Sequence, residues 1–162
     1  MSHVKFTLFH NVGLDVTIRK MRELIHAGHK NPVTRMLALK LTQDEDGRDF
    51  DGMAKAVYDW LIKNIKYHRD PVGVEWLQDA ENTIRIKAGD CDDFTIAACT
   101  LLGSLGIATR IVISQIKEPR WNHVFAEYYS PKQNKWIAFD ACVKKFVGWK
   151  SPNIIATKSY RV

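Results

Sequence analysis

Gly89-Asp90-Cys91-Asp92-Asp93-Phe94-Thr95-Ile96-Ala97-Ala98, continued by Leu101-Leu102 and stopped at Gly106, is the stretch that decides the fold. Phe94, Ile96, Ala97, Ala98, Cys99, Leu101 and Leu102 leave no wide polar face, so the spacing predicts a helix from Cys91 to about Leu102 that is apolar nearly all round. Such a helix belongs at the centre of a core. A cysteine stands at its first position. The unpaired N–H groups and the dipole of a helix N-terminus favour thiolate over thiol, which makes Cys91 a candidate nucleophile with a lowered pKa. Asp90, Asp92 and Asp93 are ordinary first-turn residues and are expected to cap the helix. Cys99, two turns deeper, reads as core.

Downstream, Ala108 to Ile116, His123 to Tyr129 and Lys135 to Asp140 read as strands, and Ser130-Pro131-Lys132-Gln133-Asn134 is turn chemistry between the last two. A hairpin there brings His123 and Asp140 to one sheet edge. The three residue types then read together: a thiol nucleophile, an imidazole base and a carboxylate that orients the ring. Cys142 shares a face with Asp140 if the strand continues that far. Asp140 is the better orienter, because an ionised carboxylate accepts the imidazole N–H and a neutral thiol is a poor acceptor.

Upstream the chain is mostly helical. Residues 3 to 9 alternate as a short strand. Asp15 is the expected N-cap of a helix whose apolar positions are Val16, Ile18, Met21, Leu24 and Ile25, with Gly28 as its C′ residue. Asn31-Pro32 restarts a helix through Met36, Leu37, Leu39 and Leu41. Gln43 to Asp49 is a loop, and from Asp51 a third helix carries Ala54, Val57, Tyr58, Leu61, Ile62 and Ile65 on one face. Residues 67 to 89 are the least regular segment and lead straight into Cys91, which predicts one wall of a substrate cleft. Tyr67 and Trp76 are its candidate contacts, and Thr83-Ile84-Arg85-Ile86 a short element before a turn at Ala88-Gly89.

The run Gly89 to Ala98, then Leu101-Leu102, Gly106-Ile107 and Thr109-Arg110, followed by His123-Val124-Phe125-Ala126-Glu127-Tyr128-Tyr129 and Trp136-Ile137-Ala138-Phe139-Asp140, resembles the core of the transglutaminase-like superfamily. The resemblance covers about residues 50 to 141; residues 1 to 49 and 143 to 162 match no block of it. It implies an α+β, papain-like fold: a helical N-terminal half, a central helix carrying Cys91, and an antiparallel sheet carrying His123 and Asp140. It also implies acyl transfer or hydrolysis on protein or peptide amides through a Cys91 thioester, first as a cysteine peptidase or amidase, alternatively as a cross-linking transglutaminase. The backbone N–H of Cys91 is one expected oxyanion donor, and the second comes from the 67 to 89 wall or from Trp60. Relatives with a Gly-Asp-Cys-Asp-Asp run occur in bacteria and their phages, which would place a phage-encoded chain with the virion.

Two rival readings use the same residues. Cys91, His123, Asp140 and Cys142 are all zinc-ligand types, although no pair has zinc-site spacing. The other rival is a binding or structural module that keeps the fold and has lost turnover. The expected reaction requires neither metal nor organic cofactor.

Composition narrows the field further. At 162 residues with 46% hydrophobic content the chain suits a single domain over 1–162. The charge of +6 is scattered, and its densest spots, Lys144-Lys145 and Lys63 with Lys66, lack the interleaved aromatics of a single-strand binder, which argues against nucleic acid. Three cysteines at irregular spacing fit free thiols in a reducing compartment. With no apolar run of membrane length and no basic-then-apolar leader, a cytoplasmic location off the membrane is expected.

Overall fold

The computed structural model describes residues 6–9 as backbone and 13–162 in full. Its elements run β1 (Phe6–Phe9), α1 (Leu14–His29), α2 (Pro32–Leu41), α3 (Phe50–Asn64), β2 (Lys66–Tyr67), β3 (Glu75–Gln78), α4 (Ala80–Ile86), β4 (Ala88–Gly89), α5 (Cys91–Ser104), β5 (Thr109–Ile116), β6 (Trp121–Ser130), β7 (Lys135–Phe139) and β8 (Ile154–Arg161). A 3-10 turn, Ala141–Val143, follows β7.

The central helix is where the apolar run placed it. Every residue of α5 from Asp93 to Leu102 is buried, and the helix packs against α1, α2, α3, α4 and β6. The aspartates at its start form a capping box. Asp90 Oδ1 accepts from the N–H of Asp92 and Asp93, and Asp93 Oδ2 accepts from the N–H of Asp90. Asp92 caps nothing with its own carboxylate among the described hydrogen bonds.

The antiparallel sheet has the order β7-β6-β5-β8, and one face lies on α5. Its β6–β7 hairpin pairs Ala126 with Phe139 and Ser130 with Lys135. Tyr58, Tyr128 and Phe139 lock the sheet to α3, with Tyr58 edge-on to Phe139 at 5.2 Å between ring centroids. Asp51, in the first turn of α3, accepts from the Tyr128 hydroxyl, Ser130 Oγ and Gln133 Nε2, which ties the hairpin tip to the helical half. Glu127 is buried and meets Arg110 from β5 and Lys150, so its charge is paired on both sides.

Several local expectations are corrected. Gly13, not Asp15, is the N-cap of α1; Asp15 sits in the first turn, where the dipole favours it equally well. Gly28 is inside α1 rather than beyond it. A Cβ there would stand 2.6 Å from Thr100 Cγ2, so this glycine permits close approach of α1 to α5. The N-cap of α2 is Asn31 with Pro32 at N1, as its sequence predicts. The 67 to 89 segment carries more short elements than the one expected at 83 to 86, and the turn expected at Ala88-Gly89 is a short strand. β3 pairs antiparallel with β1, and β2 pairs parallel with β4. Of the predicted strand at residues 3 to 9, Phe6–Phe9 is a strand and residues 3 to 5 lie outside the described residues. β8 was not anticipated: its alternation is faint and most of its residues are exposed, because it covers one edge of β5. Among the described residues, no helix is long and apolar enough to cross a membrane.

Candidate active site

Three elements meet around His123. α5 contributes Cys91 at its first helical position, where the backbone N–H has no acceptor within the helix. β6 contributes His123, and the residue after β7 contributes Asp140. His123 Nε2 and Asp140 Oδ2 lie 2.7 Å apart, with the two side chains 14% and 8% exposed, a charge-assisted hydrogen bond sheltered from water. The imidazole stacks on Phe125 at 6.0 Å, which holds its plane. The sulfur of Cys91 accepts from the backbone N–H of Val124, the residue after His123. Cys91 and His123 line the same cavity of about 560 Å³.

Asp140 is itself held by a residue that sequence reading placed only in the core. The Tyr58 hydroxyl donates to the Asp140 carbonyl at 3.2 Å and accepts from the backbone N–H of Lys145, so α3 grips the 3-10 turn at both ends. The signal was present in principle: a tyrosine on a buried apolar helix face needs a partner for its hydroxyl.

Electrostatics around the thiol differ from expectation. Burial, then the carboxylates of Asp92 and Asp90, push the Cys91 thiol well above its ordinary value, outweighing the helix dipole. The acids share the strain. Burial and the neighbouring Asp93 push Asp90 up to about 7, burial pushes Asp93 up to about 6, and burial with Asp90 pushes Asp92 well above the carboxylate range. Asp70 and Glu75 line the same cavity and add to the repulsion on Asp92.

Of the other expected contacts, Tyr67 lines the cavity. β2 pairs with β4 in the register Tyr67 to Gly89, and burial together with nearby Cys91 raises its hydroxyl pKa. Trp76 does not line it. Its neighbour Glu75 faces the cavity, and alternation along β3 turns Trp76, 43% exposed, to the opposite side. Trp60 does not line it either; it packs half-buried against the core from α3.

Among the described residues, two groups of side chains have potential ligand atoms mutually within 4.8 Å: His123 with Asp140 and Cys142, and Cys91 with Asp90 and Asp92. The four residues considered for zinc therefore fall into two groups rather than one. Cys142 reaches the site although the strand ends at Phe139, because the 3-10 turn folds it back; burial and Asp140 push its thiol up to about 12. Cys99 is fully buried, with its thiol likewise pushed up to about 12 by burial.

Solved structures with this arrangement of elements bear on the family. LapG of Legionella pneumophila superposes with a TM-score of 0.58 at 18% identity, covering 85% of this chain and 80% of that one; a calcium-bound form of the same protein gives 0.52. A candidate cysteine protease from Cytophaga hutchinsonii gives 0.52 at 17% identity, over 96% of this chain and 58% of that one. A candidate protease from Parabacteroides distasonis ATCC 8503 gives 0.56 at 10% identity, over 74% of this chain and 25% of that one. The chain thus spans well under two thirds of these last two proteins. At such identities the likeness shows the shared fold. No curated protein matches the chain. Residues 35–141 match the model of the transglutaminase-like superfamily, which reaches from α2 through α5 to the residue after Asp140, and the chain belongs to that superfamily.

Proposed function

We propose that the protein is a thiol-dependent hydrolase of protein or peptide amides working through a Cys91 thioester. The observation that supports this best is the sheltered 2.7 Å His123–Asp140 pair, whose imidazole lines the same cleft as a cysteine at a helix start.

With Nε2 engaged by Asp140, Nδ1 is the ring nitrogen left for the thiol. Because burial and the flanking acids favour the neutral thiol, Cys91 rests protonated and hands its proton to His123 as it attacks. Sγ then bonds to the carbonyl carbon, and the carbonyl oxygen gains charge, for which the Cys91 backbone N–H and the hydroxyl of the cavity-lining Tyr67 are the proposed donors. His123 passes its proton to the amide nitrogen, the C–N bond breaks, and the amine leaves. Water repeats the sequence on the thioester and regenerates the thiol. Asp140 holds the ring and stabilises its charged form.

A lysine amine in place of water makes the same thioester a cross-linking intermediate. A second reading concerns the acidic side of the cleft. Asp70, Glu75, Asp90 and Asp92 offer the hard oxygen donors that calcium takes, and burial first, then mutual repulsion, raises the carboxyl groups of Asp90 and Asp92. A bound cation would relieve that repulsion and lower the Cys91 thiol pKa. Calcium-dependent thermal stabilisation, lost in Asp92→Asn, tests that reading.

The main reading is tested by trapping. Incubation with a peptide ester and quenching in acid should add the acyl mass to the peptide containing Cys91. Acylation elsewhere, or none in a folded sample, overturns it.

A further inference from the structure

A second cavity, of about 570 Å³, opens beside His123, where Ile116, Asn122, Asp140, Val143 and Trp149 line it with the imidazole and Lys117, Glu118 and Ser151 complete the lining. His123 is thus a shared wall. Cys91 lines the first cavity and not the second, and Asp140 lines the second and not the first.

The chemistry proposed above gives the two sides different tasks, and this inference rests on it. The carbonyl carbon is bonded to Sγ in the first cavity. The nitrogen that leaves, or that attacks in the second half, exchanges its proton with the imidazole. Whatever is attached to that nitrogen extends past the ring, toward the second cavity.

The lining there is chemically selective. Ile116, Val143 and Trp149 are half-buried and present hydrocarbon and indole. Apart from the exposed Lys117, the polar side chains are already engaged: Glu118 accepts from Arg120 and Asn122, and Ser151 Oγ accepts from the N–H of Asn153. Asn122 donates to the Ile116 carbonyl and accepts from its N–H, and Asp140 Oδ2 is bonded to His123. A polar group entering would lose its water and meet few free partners, whereas an apolar one would only gain. Val143 and Trp149 lie beyond residue 141, where the family match ends, so this wall is built by the part of the chain outside the family core. We propose that the second cavity binds the amine-side residue of the reacting amide and selects an apolar or aromatic side chain there.

The test uses the full chain and a small donor, so that only the amine side varies. p-Nitrophenyl acetate acetylates Cys91, and phenylalanine amide or glycine amide at equal free-base concentration then competes with water. In the capture step the amine nitrogen attacks the thioester carbonyl, the C–S bond breaks, and the proton lost by nitrogen passes through His123 to sulfur. The N-acetyl amide is counted by mass per acetyl-enzyme formed, so changes in acetylation do not enter. Phenylalanine amide should capture acetyl about tenfold or more better than glycine amide, the discrimination an apolar pocket gives a hydrocarbon group. Trp149→Ala should bring that ratio toward one, and Trp149→Leu should keep most of it. If Trp149→Ala does not fold, Ile116→Ser carries the same comparison. A wild-type ratio within about twofold of one, or a ratio unchanged in both wall variants, overturns the subsite while leaving the thioester reading intact. Failure of the folded protein to form any acetyl-enzyme on Cys91 overturns both.

Discussion

The two halves of the candidate site are prepared to opposite degrees. On the sheet side, His123 is bonded to Asp140, stacked on Phe125, and anchored through Tyr58 to α3. On the helix side, Cys91 stands among carboxylates whose field, with burial, opposes its ionisation. The contrast shows that a helix N-terminus does not by itself make a thiolate. A dipole equivalent to about half a charge is outweighed when full charges flank the sulfur and water is partly excluded. In the proposed mechanism such a thiol stays protonated until a substrate draws the proton to His123.

The contrast can be broken at either side. Removing the nucleophile is the largest change: Cys91→Ala should abolish turnover and leave the urea midpoint nearly unaltered, since a half-buried side chain at a helix start contributes little packing. Loss of activity accompanied by unfolding would instead make Cys91 a structural residue. Next comes the prepared side. Asp140→Ala should lower kcat by about 10²–10⁴-fold, and Asp140→Asn should fall between that variant and the wild type, because an amide oxygen accepts the ring N–H without stabilising imidazolium. Cys142→Ala, from the same 3-10 turn, should change kcat little. Equal losses at Asp140 and Cys142 would return the metal reading of His123, Asp140 and Cys142 to first place.

A buried thiol without a site provides the control. Cys99→Ser puts a hydroxyl into the apolar centre of α5 and should cost about 1–3 kcal/mol in urea unfolding, with kcat of the folded fraction preserved. The smallest and most diagnostic change is Asp92→Asn. Its carboxylate repels a thiolate, so removing it should move the iodoacetamide profile of Cys91 to lower pH. The sign follows from charge: an ionised Asp92 opposes the thiolate, and a neutral amide in its place does not. Measured in EGTA, an unshifted or upward-shifted profile would show that burial alone sets the thiol, and the acidic flank would lose its part in the comparison.

Much of this was legible because it is local. The apolar run from Phe94 to Leu102 has one stable solution, a buried helix, and the aspartates before it have one favoured use, as caps. The hairpin follows from Pro131 to Asn134 lying between two strand-like runs, and a hairpin in register carries His123 and Asp140 to one edge without further information. Asp15 and Gly28 misled for the same reason that they attracted notice: both are good cap residues, but Gly13 preceded the one and packing against Thr100 claimed the other.

The sequence by itself determined the central helix, the hairpin, the family and the identity of the three residues proposed for chemistry, since each depends on neighbours within a few positions or on motif order. Only the tertiary structure decided what surrounds them. The pairing of Tyr67 with Gly89 joins positions with no shared local pattern, and the grip of Tyr58 on Asp140 spans 82 residues. The dismissal of Trp60 and Trp76 from the cleft turned on which face each element buried. The upward shift of the Cys91 pKa is of both kinds: its largest cause, desolvation, exists only where distant segments meet, whereas the flanking Asp92 and Asp90 stand beside it in the chain.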